Sequence, residues 1–65
     1  MNEQAVEKYM DNMAMARELA KTIVDEINDF MCVAPKDVNW GHVGDSQYVL
    51  ESLRDIARFF ERNNQ

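Results

Sequence analysis

Sixty-five residues, 46% of them hydrophobic, describe a single small domain with a thin core and exclude wholesale disorder. Twelve acidic residues against seven basic give a net charge of −5. That balance excludes broad electrostatic attraction to nucleic acid or an anionic membrane, and it suits a basic protein partner.

The first helix is expected from about residue 2 to about residue 33. Asn2 is a plausible N-cap, Glu3 puts negative charge in the first turn, and no Gly or Pro interrupts the segment. A heptad fitted to it places Val6, Met13, Ala20 and Ile27 at a and Tyr9, Ala16, Ile23 and Phe30 at d, all apolar. Met10, Leu19, Val24, Met31 and Val33 extend the stripe into the e and g positions, while Glu7, Lys8, Asp11, Glu18, Lys21, Asp25 and Asp29 form a solvated face. A stripe this wide suits a helix with two or more neighbours. Of the five methionines, Met10, Met13 and Met31 belong to the stripe, Met15 points outward and Met1 precedes the helix.

Pro35 ends the first helix, because the residue before a proline is pushed out of the helical region. Residues 34–38 form the connection. The second helix starts either at Asn39 or at Asp45 or Ser46, all good N-caps, and runs to about residue 63. The Asn39 start is preferred. It lets Trp40 and Val43 extend the flank of Leu50, with Gly41 and Gly44 allowing another backbone to approach. Val49, Leu50, Leu53, Ile56, Ala57 and Phe60 supply the stripe of this helix.

A chain of this size buries only about 60% of its unfolded surface, so it needs a disulfide, a structural metal or oligomerisation. Cys32 is the only cysteine and His42 the only histidine, which leaves oligomerisation. The expected architecture is an all-α antiparallel two-helix hairpin that dimerises into a four-helix bundle. Its seam is Val6, Tyr9, Met13, Ala16, Ile23, Ile27, Phe30, Val49, Leu53, Ile56 and Phe60. No apolar run reaches the roughly 18 residues of a membrane span, and no basic region followed by an apolar one opens the chain, so a cytoplasmic location is expected.

The least generic stretch is Val38–Asp45, which carries the only Trp, the only His and both glycines. Trp40 either anchors a partner or plugs the end of the bundle. His42 either makes a polar contact or caps the turn. The plug and the cap are favoured. The run Trp40-Gly41-His42-Val43-Gly44-Asp45, followed by a helix ending in Arg58-Phe59-Phe60, resembles a segment of short helical accessory proteins of phages and prophages. The resemblance covers residues 38–60. It implies a small phage or prophage accessory protein that modulates a host or phage protein.

Trp40, His42, Tyr48 and Phe59 are the candidate partner contacts. Arg54, Arg58 and Arg62 recur every four residues and could bind an anion, the basis of an alternative reading as a nucleotide- or RNA-binding bundle. Glu51, Asp55 and Glu61 lie beside them and can pair with the row. Glu26 and Asp29 have a spacing that can share a cation, but the second acidic motif such a centre needs has no candidate beyond Glu3 and Glu7. Cys32 and His42 have no assignable third group. A non-enzymatic interaction protein without cofactor or metal is therefore expected.

Overall fold

The structure, a computed structural model, describes residues 2–64. Met1 therefore lies outside the described residues. The chain divides into two compact units, Met1–Val33 and Ala34–Gln65. Each is built on one long α-helix, and there is no strand among the described residues.

Helix α1 spans Glu3–Phe30, 28 residues, or about 42 Å at 1.5 Å per residue. Asn2 is its N-cap: its Oδ1 accepts from the Ala5 backbone N–H at 3.1 Å, and Glu3 follows in the first turn. The helix stops about three residues short of the expected end. Met31 is the C-cap, its N–H still donating to Ile27 O at 3.0 Å, and the Cys32 N–H donates to Asp29 O at 3.1 Å. Two forces act here. No basic residue occupies the last turn, where Asp29 opposes the negative end of the helix dipole. Ala34, held extended (φ −62°, ψ 139°) ahead of Pro35, prevents the chain from continuing as a helix.

The connection contains more order than a plain loop. Pro35–Asp37 form a single 3-10 turn closed by Asp37 N–H to Ala34 O at 2.8 Å and Val38 N–H to Pro35 O at 3.3 Å. Pro35 opens it, where its missing N–H costs nothing and its fixed φ is suited.

Helix α2 spans Trp40–Asn63, 24 residues, with Asn39 as N-cap (φ −131°, ψ 178°). The Asn39 start is the one adopted, because that residue satisfies the first turn of the helix from its own side chain. Arg62 sits in the last turn, where positive charge is favourable.

Both helices are amphipathic, and their apolar stripes stay open. None of the described residues is fully buried. The shielding that exists follows the stripes. Ile27, Val33, His42, Val49 and Ser52 are half-buried, and the least exposed large side chains beyond them are Leu53 at 36% and Ile23 at 38%.

Candidate functional site

The start of α2 is the most organised local structure in the chain. Asn39 Oδ1 accepts from the Gly41 N–H at 2.8 Å and from the His42 N–H at 3.2 Å. In return, the Asn39 N–H donates to His42 Nδ1 at 3.0 Å, closing a capping box with histidine at the third helical position. Glutamate or glutamine ordinarily fills that position. An imidazole serves only while Nδ1 is unprotonated, with the proton on Nε2. His42 thus caps the turn, one of its two expected roles.

Gly41 belongs to the same device. A Cβ at this position would lie 2.9 Å from Asn39 Oδ1, inside contact distance, so the missing side chain is what lets the cap close this tightly. Gly44 meets nothing within 4 Å. Gly41 is used by the chain's own cap, whereas Gly44 faces open space, where another backbone has room to approach.

The four candidate contacts do not share one face. At about 100° per residue, Tyr48 and Phe59 lie on nearly the same line of α2, about 16 Å apart along the axis. Trp40 lies roughly a quarter turn away on that projection, above Arg58 on the polar side. His42 falls on the apolar side with Val49, Leu53, Ile56 and Phe60. Val43 extends the flank of Leu50, as the spacing predicts, but Trp40 does not. On α2 the most exposed large apolar side chains are Trp40 at 86%, Tyr48 at 74% and Phe59 at 55%. Phe59 also touches Phe60 edge to face, with centroids 5.8 Å apart and planes at 75°. That contact joins the off-stripe aromatic line to the end of the apolar stripe.

The arginine row is partly engaged. Arg58 Nη1 holds Asp55 Oδ1 at 2.9 Å, and both side chains are well exposed. Such a pair contributes about 0.3–0.5 kcal/mol. Of the three acidic neighbours, Asp55 alone forms an ion pair with the row among the described residues, which leaves Arg54 and Arg62 without one. Asp55, Arg58, Glu61 and Arg62 line a surface depression of mixed charge. On α1 the corresponding ion pair is Lys21 Nζ to Glu18 Oε1 at 3.4 Å.

Cys32 is exposed and its thiol donates to Asn28 O at 3.4 Å. Among the described residues no group of three or more His, Cys, Asp or Glu side chains is placed to hold a metal ion. No helix among them is long and apolar enough to cross a membrane. No protein-family model matches the chain, and no curated protein or solved structure matches it either.

The sequence pointed to Asn39 and to a capping role for His42, but not to the reciprocal bond between them. The available signal was a capping residue followed three positions later by a side chain with a terminal acceptor. Gly41 was legible only as a glycine, because its purpose depends on where Asn39 Oδ1 sits.

Proposed function

We propose that this chain is a non-enzymatic protein-interaction module. It self-associates through its apolar stripes as an antiparallel helical hairpin that dimerises into a four-helix bundle, and it binds a further protein through Trp40 with Tyr48 and Phe59. The observation that carries the reading is that two complete apolar stripes lie open to solvent while Trp40 stands on the opposite, polar side of α2. Apolar surface on this scale is covered by a partner or aggregates. Aromatic anchors of the Trp and Tyr type dominate the energy of interfaces. The resemblance of residues 38–60 to phage and prophage accessory proteins makes the further partner a host or phage protein, met in the bacterial cytoplasm. The net charge of −5 favours a basic surface on that partner.

The second reading, a nucleotide- or RNA-binding bundle, draws on Arg54 and Arg62, which form no ion pair among the described residues. The Asp55–Arg58 ion pair and the mixed charge around it weigh against it. The deciding experiment is affinity capture from bacterial lysate with the wild type and with Trp40→Ala, alongside sedimentation of both. A protein retained by the wild type and lost by a variant that still self-associates supports the reading. Retention of the same proteins by both removes Trp40 from the site.

A further inference from the structure

The open stripe of α1 has an internal order that its mere exposure does not explain. From its start to its end the a and d residues are Val6, Tyr9, Met13, Ala16, Ala20, Ile23, Ile27 and Phe30. Three large side chains, two alanines and three large side chains follow one another, so the size pattern reads the same in either direction. Four unbroken heptads on one continuous helix are enough for a coiled-coil pairing.

We propose that the a/d line of α1 packs against α1 of a second copy in antiparallel register, with Ala16 opposite Ala20 on either side of the two-fold axis. This rests on the self-association reading above and specifies its geometry. In an antiparallel pair each a position meets a d position. The layers from the outside inward are then Val6 with Phe30, Tyr9 with Ile27, Met13 with Ile23, and Ala16 with Ala20. Every outer layer combines a larger side chain with a smaller or comparable one, so the three carry similar bulk. Matched bulk lets the three outer layers pack at a similar interaxial distance.

A parallel pair in the same heptad would stack Tyr9 on Tyr9, Phe30 on Phe30 and Val6 on Val6, so its outer layers would differ more in bulk. The alanines bring the axes together at the dyad. Leu19, an exposed g residue beside them, has its symmetry mate nearby and fills the flank the alanines leave. Opposed helix dipoles favour the same orientation. Charge does not favour it: Glu3, Glu7 and Asp11 make one end of α1 acidic and Asp25, Glu26 and Asp29 the other, and Arg17, the e residue on the flank opposite Leu19, has its own symmetry mate nearby.

The test is pulsed dipolar spectroscopy on the full chain, in a Cys32→Ser background with single spin labels at Lys8→Cys, Met15→Cys or Asp29→Cys. All three sites lie on the outer face at the same heptad position. The antiparallel register separates the two labels along the axis by about 30 Å at position 8, about 33 Å at position 29 and only about 9 Å at position 15. Long, short and long is the expected pattern. Short distances at all three positions mean a parallel pair. Any other pattern in a species that sediments as a dimer also overturns the register, and either result leaves self-association intact. No dipolar coupling at any position, together with a monomer in sedimentation, overturns both readings.

Discussion

At the scale of single residues, the capping box sets where α2 begins. Asn39 satisfies two backbone donors and His42 a third, among the groups that would otherwise face water unpaired. Asn39→Ala should cost about 1 kcal/mol of α2 stability, as loss of a good N-cap does. His42→Gln, which keeps an acceptor at the third helical position, should retain most of what His42→Ala loses. Circular dichroism with amide exchange at residues 40–43 reads both effects. Equal protection in all three variants would show that the box contributes nothing. The two glycines should separate in the same way. Gly44→Ala removes a mid-helix glycine in open space and should stabilise by roughly 0.5–1 kcal/mol. Gly41→Ala should gain less or lose stability, because its new methyl crowds Asn39 Oδ1. A Gly44→Ala protein that melts higher yet loses its partner would reveal a close backbone approach at that position.

At the scale of the element, the face on which a residue lies decides what its substitution tests. If Trp40 plugged a bundle, its truncation would cost roughly 3–5 kcal/mol. The proposed anchor role rests on its place on the polar side of α2, away from the apolar stripe. Trp40→Ala should therefore change stability by less than about 0.5 kcal/mol, the usual range for surface substitutions, while abolishing partner capture. Thermal melting and the capture assay decide between the two outcomes. Tyr48→Ala should weaken capture without altering the melt, whereas Phe59→Ala should weaken capture and also lower the melt slightly, because it removes the edge contact to Phe60 of the seam. The arginine row belongs to this scale as well. With Asp55 bound to Arg58 and acidic residues interleaved, gel-shift assays at physiological salt should show no submicromolar duplex binding. Any binding at low salt should fall steeply as salt rises and disappear when Arg54, Arg58 and Arg62 are all neutralised. Tight, salt-resistant binding would promote the nucleic-acid reading.

At the scale of the whole molecule, open stripes couple stability to association. Most helical stability in proteins comes from packing an amphipathic face rather than from propensity. A 28-residue helix with no fully buried residue among those described is expected to gain that packing from another copy. The melting temperature should rise with protein concentration, and the protein should sediment as a dimer at micromolar concentration. Ile23→Asp, which places an unpaired charge in the seam, should dissociate or unfold it. A stable monomer whose melting is independent of concentration would refute this.

The sequence by itself determined that the chain is helical and where its helices lie. Apolar periodicity, Pro35 and the capping residues Asn2 and Asn39 are local signals that act within one or two turns. Their reading survives in α1, the break at Pro35 and α2. The residues of each stripe were legible for the same reason, since helical spacing alone puts them on one face. The three-dimensional structure decided what depends on exact atomic placement. The dipole and the extended Ala34 together halted α1 at Phe30, and Pro35–Asp37 tightened into a 3-10 turn. His42 turned its Nδ1 back onto Asn39, and Gly41 made room for that cap. The cap at Asn39 also settled that Trp40 is the first residue of α2; once it is inside the helix, the spacing of about 100° per residue puts it on the polar side, which the sequence already contained.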